Sequence, residues 1–142
     1  MIEKNLAYIA NYIWEQCVCN LNAILSDEET NHFNINDYFY LTSIYKMQSP
    51  NFGEVAEALH LTKPAISAFV KRLTKSGLIE KVQSAQDRRI YFLEVTDKGK
   101  MLIEGDDKLY IELTDIINTS ASEEERQQVD SVLDRVVEVI KK

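Results

Sequence analysis

Histidine, cysteine, glycine and proline are all scarce in this 142-residue chain, which holds two histidines, two cysteines, four glycines and two prolines. His32 and His60 lie far apart, and no Cys/His spacing matches a zinc site, so no metal is expected. Cys17 and Cys19 stand two apart, and on a helix they would point about 200° from one another, which prevents a bond between them. With so little glycine and proline, and no serine-rich tract, no flexible linker is legible. A glycine-rich phosphate loop, a nucleophile elbow and a metal-binding repeat are also missing; this argues against an enzyme and leaves no cofactor to expect. No apolar run approaches the roughly 20 residues that cross a bilayer, and residues 1–10 lack a secretory pattern. The expectation is a cytoplasmic protein with no membrane partner.

Positive charge is in short supply too, with 16 Lys and Arg against 23 Asp and Glu, a net of −7. The deficit is uneven. Residues 60–100 hold nine basic and four acidic residues, net +5, whereas residues 1–59 and 101–142 each carry −6. A local positive surface attracts phosphate whatever the whole-chain balance, so one segment of an acidic protein is singled out for a nucleic-acid partner.

Apolar residues at three- and four-residue steps predict a long helix over residues 4–26, through Leu6, Ile9, Ile13, Cys17, Leu21 and Leu25. Residues 27–32 read as a break. Asn36 is a candidate cap for a second helix ending before Ser49-Pro50, and a short third helix covers Gly53 to Leu59. Thr62 caps a fourth helix with Pro64 in its first turn, and Gly77 ends it. Leu78–Gln83 and Arg89–Val95 are rich in β-formers and flank a polar turn, which predicts a hairpin. Thr96-Asp97 opens a further helix to about Asn118, and Ser122 with Glu125 makes a capping box for the last.

At 100° per residue, the helix from Thr62 sends Ile66, Phe69, Val70 and Leu73 to one face. Pro64, Ser67, Ala68, Lys71 and Lys75 lie on the opposite arc, flanked by Lys63 and Arg72. A helix laid in a major groove needs this division: an apolar back, a small-residue front near base edges, and cations for phosphate. Pro64 and Ala68 offer no hydrogen bonds, leaving Ser67 and Lys71 as the direct readers. At the hairpin tip, Arg88 and Arg89 are placed to meet the narrow minor groove, and Asp87 is expected to steady Arg89 through a hydrogen bond.

Together these features resemble the MarR family of bacterial winged-helix regulators. The resemblance covers essentially the whole chain. It is carried by Leu61-Thr62, by Leu73-x-x-x-Gly77-Leu78-Ile79, by the wing Asp87-Arg88-Arg89, and by Leu93-x-Val95-Thr96-x-x-Gly99. It implies a mainly α fold with a small β-hairpin wing, a winged helix-turn-helix over residues 36–99, and dimerisation helices at 1–35 and 100–142. It also implies a homodimer on a pseudo-palindromic double-stranded DNA operator, acting as a repressor relieved by a small ligand or an oxidant. The recognition helix would start at Thr62. The apolar stripes of the first and last helices, the latter through Val129, Val132, Leu133, Val136, Val137 and Ile140, independently suggest an interface between two copies.

The signal is less legible. Some members of that family sense oxidants through a cysteine facing tyrosines, and Cys17 with Tyr38 and Tyr40 fits that pattern. A phenolic or lipophilic ligand lodged among aromatics such as Tyr12, Trp14 and Tyr40 is the competing expectation. The alternative function is a winged helix that docks protein without specific DNA binding, against which the +5 of residues 60–100 argues.

Overall fold

The computed structural model describes residues 1–142, and their backbone contacts divide them into two compact units, Met1–Asp106 and Asp107–Lys142. The order of elements is α1 (Ile2–Ile24), α2 (Asp27–His32), α3 (Ile35–Met47), α4 (Phe52–Leu59), α5 (Lys63–Lys75), β1 (Ile79–Gln83), β2 (Tyr91–Val95), α6 (Asp97–Ser120) and α7 (Glu123–Ile140). This is the mainly helical, winged arrangement expected from the sequence.

Two local expectations are corrected. Residues 27–32 form a helix of their own, because the Ser26 hydroxyl accepts from Glu29 N–H at 3.2 Å while the Glu29 carboxylate accepts from Ser26 N–H at 2.8 Å. Three acids in its first turn favour the positive end of the helix dipole. The cap of α3 is Asn34, not Asn36. Asn34 Oδ1 accepts from Asp37 N–H at 3.0 Å, and Asp37 stands three residues on to complete the reciprocal bond.

The core of the first unit gathers Leu41 and Ile44 from α3, Val55 from α4, four residues of α5, Leu78, Ile79, Leu93, and Leu102 and Ile103 from α6. Leu25, between α1 and α2, joins them. These contacts hold the elements together and choose the face each buries, and polar ties refine their orientation. Gln48 and Ser49 turn the chain after α3 with left-handed φ angles of 55° and 59°. Beyond them, Pro50 O accepts from Leu93 N–H at 2.8 Å, and Asn51 bridges Phe92, adding a minimal third edge to the hairpin. β1 and β2 pair antiparallel with Ile79 opposite Val95 and Gln83 opposite Tyr91.

Helix α5 ends as its glycine predicts. Gly77 has φ 71°, Gly77 N–H bonds Thr74 O at 3.0 Å and Leu78 N–H bonds Leu73 O at 2.9 Å, a Schellman ending with Leu73 and Leu78 both buried. The next three carbonyls are claimed by the first turn of α6 and the residue before it. Ser76 O accepts from Lys98 Nζ, Gly77 O from the Thr96 hydroxyl, and Leu78 O from Thr96 N–H. Gly99 is required there, since a Cβ would lie 2.3 Å from Leu78 O.

In the second unit, the later part of α6 passes through Ala121 and Ser122 into α7. Ser122 and Glu125 form the expected capping box, at 3.3 and 2.8 Å. The apolar stripe of α7 through Val129, Val132, Leu133, Val136, Val137 and Ile140 is exposed along its length.

Candidate nucleic-acid interface

Helix α4, a turn over His60 and Leu61, and helix α5 form a helix-turn-helix. His60 adopts φ 51° to leave α4, and Leu61 N–H returns to Ala56 O at 3.0 Å. The Thr62 hydroxyl then caps α5 by accepting from Ala65 N–H at 3.3 Å. Ile66, Phe69, Val70 and Leu73 are buried, as the helical projection requires, and Tyr40 of α3 stacks on Phe69 with 4.7 Å between ring centres.

With that back face fixed, Thr62, Lys63, Pro64, Ser67, Ala68, Lys71 and Lys75 are all exposed. Lys71 and Lys75 border an open trough of about 530 Å³ floored by Phe52 and Val70 and closed on its strand side by Lys81. Lysines beside an apolar floor can hold a sugar-phosphate backbone, the charges meeting phosphate and the floor meeting deoxyribose, although Lys81 Nζ lies over the Tyr91 ring at 5.7 Å from its centroid.

Arg72 departs from the expected pattern. It does not flank this face as a free cation, because its guanidinium turns back to Asp37 of α3, with Nη2 donating to Oδ1 at 2.6 Å and Nε to Oδ2 at 3.3 Å. The paired carboxylate raises the affinity of Arg72 for its proton above the usual arginine value. Asp37 escapes sequence reasoning because a buried acid on an otherwise apolar face has no periodic signature. Its place three residues after Asn34 is the one local signal that could have marked it.

The wing is held by its own residues. Ser84, buried between the strands and the tip, accepts from Gln86 and Asp87 N–H at 3.3 Å each, while Ser84 N–H bonds Ile90 O at 2.9 Å. Gln83 Nε2 donates to Arg88 O at 2.8 Å. Neither Gln83 nor Ser84 was expected to act in the site. Asp87 accepts three bonds from Arg89: from its backbone N–H at 3.0 Å, from Nε at 3.1 Å and from Nη2 at 2.9 Å. The Arg89 hydrogen bonds hold the Asp87 carboxyl below its usual value, so the pair stays charged. Arg89 is nonetheless 90% exposed, and Arg88 beside it is exposed too.

The residues expected to sense a signal are dispersed. Tyr12 and Trp14 of α1 are exposed, and Tyr38 and Tyr40 pack against the core. Cys17 is half-buried beside Asp106, whose carboxylate also accepts from Asn20 Nδ2 at 3.2 Å. Burial first, and the Asp106 charge second, push the Cys17 thiol up to about 11. That is the reverse of what a reactive thiolate needs.

Residues 33–91 match the MarR family. The chain is 35% identical over 66 residues to the HTH-type transcriptional regulator BilQ of Clostridioides difficile (strain CD3), covering 46% of this chain and 45% of that protein. It is 32% identical over 66 residues to the HTH-type transcriptional repressor MdtR of Bacillus subtilis (strain 168), covering 46% and 43%. The matched stretch thus spans less than half the length of either relative. Among solved structures, S. aureus MepR bound to ethidium bromide superposes with a TM-score of 0.73 at 21% identity, covering 99% of this chain and 96% of that one. The S. aureus MepR-DNA complex gives 0.72 at 20%, covering 94% and 96%. At that identity these two likenesses establish the fold alone.

Proposed function

With residues 33–91 a MarR-family winged helix, we propose that the chain is a sequence-specific DNA-binding transcriptional regulator, a homodimeric repressor released by a small ligand. The observation that carries the reading is the joint exposure of Lys63, Ser67, Lys71 and Lys75 on α5 and of Arg88 and Arg89 on the wing. All six lie within the basic segment of an otherwise acidic chain. Helix α5 enters the major groove, with Ser67 and Lys71 at base edges. Thr62, Lys63, Pro64, Ala68 and Lys75 line the rest of the contact, and Arg89, steadied by Asp87, takes the minor groove. Arg72 is reassigned from this surface to its support. The regulator and repressor roles named for the two relatives, and the DNA complex of a fold neighbour, point the same way.

The exposed apolar stripes of α1 and α7 support a second copy as partner. Each large aliphatic side chain buried there contributes about 1.5–3 kcal/mol, and a two-fold dimer fits a pseudo-palindromic site. The raised Cys17 thiol favours a ligand over an oxidant as the releasing signal, and ethidium bromide on a neighbour of the same fold supports a lipophilic class. Capture of genomic fragments by the purified chain, with and without peroxide, tests the whole reading. A two-fold symmetric motif should be enriched equally in both arms, and recovery of random fragments alone would favour a protein-docking role.

A further inference from the structure

One carboxylate links the start of α3 to the third turn of α5. Asp37 Oδ1 accepts from Arg72 Nη2, and Asp37 Oδ2 accepts from Arg72 Nε and from Asn34 N–H at 3.2 Å. The Asp37 side chain is 1% exposed and that of Arg72 38%, so the pair lies at the rim of the core, where Arg72 borders Lys71 and Lys75. Asp37 therefore does two jobs: it closes the capping box of α3, and it grips the flank of α5 through Arg72.

That grip supplies what the apolar contacts lack. Ile66, Phe69, Val70 and Leu73 fix how close α5 sits to the core, but apolar packing has little directional preference. A two-pronged guanidinium–carboxylate pair is directional in both distance and plane. With a helix radius of roughly 5–6 Å to the side chains, a roll of about 20° would sweep the tips of Ser67 and Lys71 by about 2 Å. Hydrogen bonds to base edges do not survive such a displacement, whereas attraction between a lysine and a phosphate does.

We propose that Arg72 and Asp37 are positioning residues that set the roll of the recognition helix and thereby the discrimination between operator and other DNA, with Arg72 making no phosphate contact of its own. The proposal rests on the DNA-binding reading above. It places a determinant of sequence preference on the flank of α5, next to Lys71 and Lys75, on a side chain that turns toward α3.

The test compares the wild-type chain with Arg72→Lys, Asp37→Asn and the Asp37→Asn/Arg72→Gln double variant, each first checked for a folded helical spectrum. Affinity for operator and for scrambled duplex is measured over a salt series, and amide hydrogen exchange along α5 is followed without DNA. All three variants should lower the operator-to-scrambled ratio by about tenfold or more. The slope of log affinity against log salt on scrambled duplex should stay at the wild-type value, because the same phosphates are still neutralised by the same lysines and wing arginines. Exchange should quicken in α5 while α3 and the hairpin keep their protection. Arg72→Lys retains charge without the planar fork and should not rescue the ratio.

A salt slope smaller by about 0.9 in the double variant, with Asp37→Asn at the wild-type ratio, would make Arg72 a phosphate contact and overturn the proposal. Wild-type ratios together with wild-type α5 exchange in all variants would overturn it equally. A wild-type chain with no operator preference would instead overturn the DNA-binding reading, an outcome told apart because the exchange comparison uses no DNA.

Discussion

Lys98 and Glu29 meet at 2.8 Å beside the exit of α5, where the same ammonium donates to Ser76 O, also at 2.8 Å. One cation thus joins α2, the end of α5 and the beginning of α6. Replacing Lys98 by Met keeps its aliphatic stem and removes both bonds. The expected loss is about 1–2 kcal/mol of unfolding free energy in a urea titration, the lower part of the range for hydrogen bonds to charged groups because the site is half-exposed.

The same pair predicts a pH dependence. The hydrogen bond from Lys98 is the main reason that the Glu29 carboxyl sits below its ordinary value of 4.5. A carboxyl depressed in the folded state contributes stability above its unfolded value and loses it as the pH falls through the folded value. The stability gap between wild type and Glu29→Gln should therefore be open at neutral pH and close on acidification. A gap that widens in acid would contradict the assignment.

Arg89→Ala should leave the thermal midpoint within a degree or two, because the side chain is 90% exposed and its pair with Asp87 is a surface one. Operator affinity should fall, and the salt slope should flatten by about 0.9 for each phosphate that the arginine had neutralised. Gel-shift titrations at several salt concentrations decide it; unchanged affinity would remove the wing from the interface.

Because Pro64 and Ala68 present no hydrogen-bonding groups, readout should lean on thymine methyls, on DNA shape and on the wing. Selection from a random duplex library should return A·T base pairs where the wings fall. Recovery of G·C there would exclude the minor-groove role given to Arg89.

The two cysteines should behave differently. With its thiol near 11, Cys17 is about one part in a thousand thiolate at pH 8, while Cys19 is exposed. Iodoacetamide should modify Cys19 first, Cys19→Ser should abolish the fast phase, and peroxide should leave operator binding intact. Equal labelling of both residues would contradict the burial of Cys17, and loss of operator binding in peroxide would restore an oxidant as the releasing signal.

Leu133→Asp, on the exposed stripe of α7, should shift sedimentation from dimer to monomer and weaken operator binding without loss of helix signal. A variant that still sediments as a dimer would place the interface elsewhere.

Much of this molecule is readable locally. The caps Thr62, Ser122 and Gly77 and the buried face of α5 follow from spacing, because a helix end and a helix face each involve residues within one or two turns. The Asp87–Arg89 pair, two residues apart, was legible for the same reason. Helix α2 was missed because six residues give no period to read. Asn34 and Asn36 are equivalent as caps until Asp37 is counted. The ion pair of Arg72 with Asp37 was not legible because its partner lies 35 residues away, and a helical projection records only where a side chain starts, not where its polar end reaches.

The three successive carbonyls claimed by Thr96 and Lys98 close the hairpin at its base, independently of anything at its tip. Closing a loop costs entropy that grows only with the logarithm of its length, about 0.6 kcal/mol for a doubling. Residues added or exchanged between Gln83 and Tyr91 therefore leave the stitched end almost undisturbed. The wing is in this sense an interchangeable part, free to lengthen or alter its surface chemistry while α5 keeps its seat.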